Sequence, residues 1–291
     1  MDRDKPTVSF IVPTYNGADT IEETLDSLLA QEYPHTEIIA VDDGSTDDTE
    51  EILNSYTDEG VTVLSLLENE GHSLASNLAI ANAEGDVLGL MDDDIEIDPT
   101  WTHDLVEKIA ELPDEVALIQ PKVIEKDTVS KDKAGYTQVV QTCGVLAKAD
   151  AVREVGGFDE RYFAWVNDME LAANLINHGY RIYCHPDVEV RHKSDSWSGG
   201  SLSPIKTFHF TKNYAWYYWK HYDRQSALLH TIRHFVRTAK WSIGQDTFSS
   251  YLKGVFYSAI FFKTYFVDEH VSDSELEYPK SPYSILKQIF E

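Results

Sequence analysis

Residues 6–107 contain no lysine and no arginine. A stretch of that length without cations cannot hold phosphates through basic side chains of its own, and the surface it offers is wrong for nucleic acid. Its glycines form neither Gly-x-x-x-x-Gly-Lys nor Gly-x-Gly-x-x-Gly, so both common phosphate-cradling loops are absent. Cysteine is scarce: Cys143 and Cys184 lie far apart without metal-like spacing, and two buried thiols in a reducing cytosol are expected ahead of a single disulfide. No uncharged apolar run reaches the roughly 18 residues that would suggest a membrane-crossing helix. The charged start, Met1 to Thr7, lacks an apolar signal segment.

What the chain does have is acid and aromatic residues. Its 291 residues are 42% hydrophobic and 12% aromatic, enough to bury a core in one large domain, or one domain plus an extension. Fifty acidic residues against 24 basic ones give a formal charge of −26, which suits a cytoplasm of very high salt, as in a halophile, where self-repulsion is screened. The charge is uneven. Residues 1–203 hold 13 basic and 42 acidic residues, a net of −29, whereas residues 204–264 hold 9 and 2, a net of +7.

The order of apolar runs and turns predicts an α/β fold. Strands are expected at Val8–Pro13, Glu37–Val41, Val61–Leu66 and Val87–Met91, separated by helices starting near Thr20, Asp48 and Ser73. Strand and helix alternate four times, the pattern of a mostly parallel sheet with helices on both faces. Each strand ends in polar turn residues: Tyr15 and Asn16; Asp42 and Asp43; Asn69; and Asp92, Asp93 and Asp94. In open sheets of this kind the carboxyl ends of the strands line the binding crevice. Further on, a helix is expected over Trp101–Leu112, a strand at Val116–Gln120 and a polar loop over 125–137. Strands are also expected at Gln141–Ala147, Tyr180–Cys184 and Val188–His192.

The three consecutive aspartates repel one another unless solvent or a cation relieves them. A hard divalent ion, Mg²⁺ or Mn²⁺, held between carboxylates and phosphate oxygens would relieve them and supply the positive charge that residues 6–107 lack.

Seven motifs in order resemble glycosyltransferase family 2: Pro13-Thr14-Tyr15-Asn16, Val41-Asp42-Asp43-Gly44-Ser45, Asn69-Glu70-Gly71, Asp92-Asp93-Asp94, Gly156-Gly157-Phe158-Asp159-Glu160, Asn167-Asp168 and Arg191-His192. The resemblance spans residues 7–193 and implies a GT-A fold, with a nucleotide-sugar half (1–98) and an acceptor half (99–203) in one catalytic domain (1–203). It implies that Pro13, Tyr15, Asn16, Asp42, Asn69 and Gly71, with Asp92 and Asp93, hold a nucleotide-diphosphate sugar. It makes Asp94, Asp92 and His192 the ligands of a divalent metal, and Asp168 the catalytic base of an inverting transfer. Two departures stand out. Asn167 replaces the family's usual glutamate before Asp168, and Ser76 occupies the place of an arginine that often precedes Asn77.

Beyond the matched region, Lys206, Lys212, Lys220 and Arg224 interleave with Phe208, Tyr214, Trp216 and Trp219, and the pattern continues past Arg233 and Arg237. Basic and aromatic residues on helices read as a segment lying on an anionic membrane surface. Two other roles stay open for the 204–291 extension: an aromatic cap on the catalytic domain, or the interface of a homodimer. The reading is a peripheral enzyme on the cytoplasmic face of the cell membrane, adding one sugar to a dolichyl- or polyprenyl-phosphate-linked glycan in glycoprotein N-glycosylation or related glycan assembly. Direct transfer onto dolichyl phosphate is the first rival, and a non-catalytic nucleotide-sugar-binding scaffold is the rival from another class. A processive synthase is disfavoured by the lack of a Gln-x-x-Arg-Trp motif.

Overall fold

The computed structural model describes residues 5–125, 128–129, 133–193 and 203–267. Chain order is β1 (Val8–Thr14), α1 (Ile21–Leu29), β2 (Thr36–Asp42), α2 (Thr49–Ser55), β3 (Val61–Ser65), α3 (His72–Asn82), β4 (Val87–Leu90) and β5 (Ile95–Ile97). Then come α4 (Trp101–Glu111), β6 (Val116–Glu125), β7 (Thr128–Val129), β8 (Gly135–Thr137), β9 (Val145–Lys148), α5 (Ala149–Glu154), α6 (Asn167–Asn177) and β10 (Arg181–His192). Helices α7 (Pro204–His221), α8 (Arg224–Ile243) and α9 (Phe248–Val267) follow.

The strands join one sheet in the order β3-β2-β1-β4-β9-β6-β10-β5. β3, β2, β1 and β4 run parallel, so their carboxyl ends share one edge. Alternation along β1 sends Val8, Phe10 and Val12 into a core under α1, α2 and α4, while Ile11 enters a second core under α3, α5 and α6. Helices thus cover both faces, as the βαβ pattern requires.

Three expectations change. The loop over 125–137 is partly strand: Glu125 closes β6 and Gly135–Thr137 is β8, while 126–127 and 130–132 lie outside the described residues. The strand expected from Gln141 begins only at Val145, because Gly144, at φ +128°, breaks the extended run. The two final strands are one, β10, whose register against β6 shifts between His185 and Glu189, where Pro186 cannot donate to the ladder.

Two compact units result: Met1–Asp159 with Asp168–Gly199, which holds the sheet, and Glu160–Asn167 with Gly200–Glu291, which holds α7–α9. In the second unit Ser203 caps α7 ahead of Pro204, and Asp223 caps α8. Gly254 of α9 lets that helix approach α7 closely; a Cβ there would lie 2.6 Å from the Thr211 Cβ. Helix α8 is inverted relative to an ordinary amphipathic helix. It buries Ala227, Thr231, His234, Thr238 and Ser242, and leaves Leu228, Leu229, Ile232, Val236 and Ile243 exposed. No helix among the described residues is long and apolar enough to cross a membrane.

Candidate active site

The site grows from the carboxyl edge of the parallel strands. β1 and β2 deliver Thr14 and Asp42 side by side in register, and the loops that follow tie to each other. Asn16 adopts the left-handed conformation (φ 53°) that asparagine tolerates. Its backbone N–H donates to Ser45 Oγ (2.9 Å), and its Oδ1 accepts from the Thr46 N–H (2.8 Å). Asp42 is buried, and its Oδ1 accepts from the Ser45 N–H. Asp43, also buried, accepts from the N–H groups of Glu70 (2.7 Å) and Gly71 (2.8 Å). Burial lifts its carboxyl to about 6, with those two donors acting in the opposite sense. Asp43 therefore fixes the turn that presents Asn69 and Gly71. The Asn69 Oδ1 atom is buried without a partner among the described residues, and Tyr15 stands exposed.

The aspartate cluster splits. Asp93 turns back to β1, accepting from Thr14 Oγ1, and burial raises its carboxyl to about 6. Asp92 and Asp94 turn to His192, which lies opposite Ile95 in the antiparallel pairing of β10 with β5. His192 Nε2 stands 3.0 Å from Asp94 and 3.4 Å from Asp92. One donor atom from each of the three residues lies within 4.8 Å of the others. Two carboxylate oxygens and one imidazole nitrogen suit Mg²⁺ or Mn²⁺, so the residues fit the divalent ion expected from the sequence. Burial disfavours the His192 imidazolium, yet Asp92 and Asp94 lift it to about 10. Burial likewise disfavours the Asp92 carboxylate, but His192 and His72 outweigh it and hold that carboxyl far below its usual range.

Around these three residues stand groups that the motif reading does not include. His72 opens α3 with Nε2 3.7 Å from Asp92 and its ring edge-on to Phe158. Buried Glu125 faces the other ring nitrogen of His192 at 3.5 Å, the usual partner for a histidine ligand. Cys143 is buried where the negative charges of Asp92, Asp94, Glu125 and Asp168, after desolvation itself, push its thiol well up. Glu125 and Cys143 carried no sequence signal, since one fell in an expected loop and the other in an expected strand. His72 adjoins the motif residue Gly71, and that adjacency was the available clue. Pro13 lines a narrow cleft together with His72, Ser76, Met91 and Phe158. Asn77 clamps Phe158 by exchanging two hydrogen bonds with its backbone, of 2.7 and 2.9 Å.

Asp168 is the second residue of α6 and accepts from the Met169 N–H at 2.7 Å. Burial raises its carboxyl to about 6, helped by the negative charge of Asp92 and countered by His72. The same unit therefore brings a carboxyl titrating near neutrality within electrostatic reach of the Asp-Asp-His cluster.

Residues 9–150 match the family described as Glycosyl transferase family 2. The chain is 44% identical over 106 residues to TuaG, a Bacillus subtilis protein assigned to teichuronic acid biosynthesis as a glycosyltransferase, a match covering 36% of this chain and 40% of that protein. It is 28% identical over 199 residues to a poly-beta-1,6-N-acetyl-D-glucosamine synthase of Staphylococcus aureus, covering 62% of this chain and 48% of the synthase. The chain thus spans less than half the length of either relative. In fold it resembles a mannosyltransferase of Pyrobaculum calidifontis solved with GDP-Man and Mn²⁺, with a TM-score of 0.62 at 18% identity over 88% of each chain. It also resembles residues 1–349 of S. aureus TarS with UDP-GlcNAc, with a TM-score of 0.60 at 20% identity over 92% of this chain and 76% of that one. Ordered motifs, matched region and sheet topology agree: residues 9–150 carry the match to glycosyltransferase family 2, and the fold is GT-A.

Proposed function

We propose that this protein transfers one sugar, with inversion, from a nucleotide-diphosphate sugar to a hydroxyl of a lipid-linked glycan. The observation that carries the reading is the pairing of two dissimilar acid groups in one site. Asp92 is held ionised by His192 and His72, with Asp94 3.0 Å from the same His192 ring, while Asp168 titrates near 6. Environments that separate carboxyl pKa values in this way assign ligand and base roles.

Asp168 accepts the proton of the acceptor hydroxyl as its oxygen forms a bond to the anomeric carbon. On the opposite face the bond from that carbon to the diphosphate oxygen breaks, so configuration inverts once. A divalent ion, which Asp92, Asp94 and His192 would hold, would supply positive charge for the departing diphosphate. Asp43 holds the 69–71 turn against the nucleotide, and the unfilled Asn69 Oδ1 suits a nucleobase or ribose donor. Sugar nucleotides and Mn²⁺ bound to fold neighbours support donor and metal alike.

The lipid-linked acceptor is supported by α8. Leu228, Ile232, Ile243, Val236 and Leu229 occupy one arc of the helix, and Lys240, Arg233 and Arg237 occupy the adjoining arc. All are exposed, and an apolar stripe flanked by cations suits the interface of an anionic membrane. The protein is accordingly read as peripheral to the cytoplasmic face of that membrane.

The test is Asp168→Asn, assayed as nucleoside-diphosphate release from GDP-mannose and UDP-N-acetylglucosamine with Mn²⁺ and lipid-linked glycan extracts. Turnover should fall about 10²–10⁴-fold while donor affinity by calorimetry stays within a few-fold. Unchanged turnover would remove Asp168 as base.

A further inference from the structure

Helix α7 turns one buried face toward a short loop of its own unit, Glu160–Asn167. His209, Lys212, Asn213 and Trp216 follow the i, i+3, i+4, i+7 spacing of a single helix face, and all four are buried. The ring of Phe163 stacks on His209 at 4.8 Å, and Tyr162 meets Trp216 edge-on at 6.1 Å. The polar contacts are more specific. Asn213 is 0% exposed, and its Nδ2 donates to two consecutive carbonyls, Ala164 O and Trp165 O, each at 2.9 Å. Its Oδ1 accepts from Lys212 Nζ at 2.7 Å, and the same ammonium donates to Arg161 O at 3.1 Å. One side-chain amide thus supplies both its hydrogens and its oxygen. Aspartate has the same shape but could not donate to carbonyls.

What Asn213 holds is strained. Trp165 (φ 60°) and Val166 (φ 68°) are consecutive non-glycine residues in the left-handed region. For a β-branched residue such as Val166 that conformation is an outlier, which persists only where its surroundings over-determine it. The chain then passes into α6, whose first residue is Asn167 and whose second is Asp168. The strained pair therefore immediately precedes the first residue of the Asp168 helix.

We propose that Asn213, assisted by Lys212, is a positioning residue: it locks the Trp165–Val166 turn and so fixes the direction in which α6 presents Asp168. The inference rests on the reading of Asp168 as the base. It needs no contact between Asn213 and substrate.

Asn213→Asp keeps size and the Lys212 contact while removing both donors. Amide exchange of residues 160–168 should quicken at least about tenfold in this variant, while the strands of the sheet keep their protection. With GDP-mannose or UDP-N-acetylglucosamine and Mn²⁺, kcat should fall at least about tenfold with donor KM within about twofold, the signature of a misplaced catalytic group. Val166→Gly supplies the discriminating rescue, because glycine takes positive φ without being held. In the Asn213→Asp background it should lower thermal stability further and yet restore kcat several-fold. A merely structural role would send both in the same direction. If Asn213→Asp does not fold, Lys212→Met removes the support to Arg161 O and to Asn213 and is read in the same two assays.

Unchanged exchange over 160–168 overturns the latch, and so does lost kcat that Val166→Gly fails to recover. If Asp168→Asn retains full turnover while exchange over 160–168 responds as expected, the base assignment fails and the latch survives as a property of the loop alone.

Discussion

Gly144 sits where the loop carrying Cys143 passes beneath β10, and replacing it by alanine tests that arrangement directly. Its φ is +128°, and an added Cβ would lie 2.8 Å from the Cγ2 of fully buried Val190 and 3.3 Å from its Cβ. Two costs add. Forcing a residue with a side chain into that backbone conformation costs about 1–3 kcal/mol, and overpacking the core there costs a further ~1–3 kcal/mol, so Gly144→Ala should destabilise by about 2–6 kcal/mol. Gly156 is the control: its φ is +84°, but nothing lies within 4 Å of its Cβ position. Gly156→Ala should therefore cost only the backbone share, about 1–2 kcal/mol. The two are read from urea unfolding midpoints. Adding Val190→Ala removes the obstructing methyls, so its combination with Gly144→Ala should cost less than the sum by about 1–2 kcal/mol. There is a functional echo, since Val190 and His192 lie on the same face of β10. A displaced Val190 should move His192, so Mn²⁺ affinity should fall in Gly144→Ala and not in Gly156→Ala. Equal costs for the two glycines, or strict additivity with Val190→Ala, would refute the packing of this loop on β10.

Other outcomes follow from the same site. Because burial raises the Asp168 carboxyl to about 6, the proposed base is protonated below that pH, and turnover should fall about tenfold per unit of further acidification; a pH-rate profile flat down to pH 5 contradicts this. The same shift makes ionised Asp168 a cost to the fold that grows as pH rises from near 4 through 6. His192 without metal is protonated up to about 10, and its stabilising contribution, complete below about 6.5, is lost progressively as pH rises from there through about 10. Divalent binding must displace this proton, so Mn²⁺ affinity should increase about tenfold per unit between pH 7 and 9 with about one proton released per ion. His192→Ala should abolish the proton release, Asp94→Asn should weaken binding at least about tenfold, and a chelator should stop turnover, all read by calorimetry and activity. Substituting Ile232→Glu with Val236→Glu on α8 should abolish sedimentation with anionic vesicles at low salt; retained sedimentation would leave α8 without a membrane role.

How much of this was legible beforehand depended on the range of the determining forces. The three βαβ units were readable because alternating apolar runs and capped helices are local patterns, and burial on both faces gives strands such as Val87–Leu90 a continuous apolar signature. β5 was missed: three residues, Ile-Glu-Ile, carry too little periodicity to announce a strand, and its pairing with β10 forms it. Glu125 was hidden for a similar reason, since its polar neighbourhood read as loop until β6 was seen to extend through it.

The composition and motif order alone determined the fold class, the acidic crevice without basic residues and the need for a cation to meet phosphate there. These follow from counting charges and from chain-local periodicity. Only the tertiary structure decided which of three adjacent aspartates do what. Successive side chains point in different directions, so Asp93 closes on Thr14 while Asp92 and Asp94 meet a histidine about a hundred residues later in the chain. It alone also showed that Asn213 bonds to the turn leading to Asp168, and that α8 wears its apolar side outward. Long-range register and burial set these features, and neither is written in any short stretch of sequence.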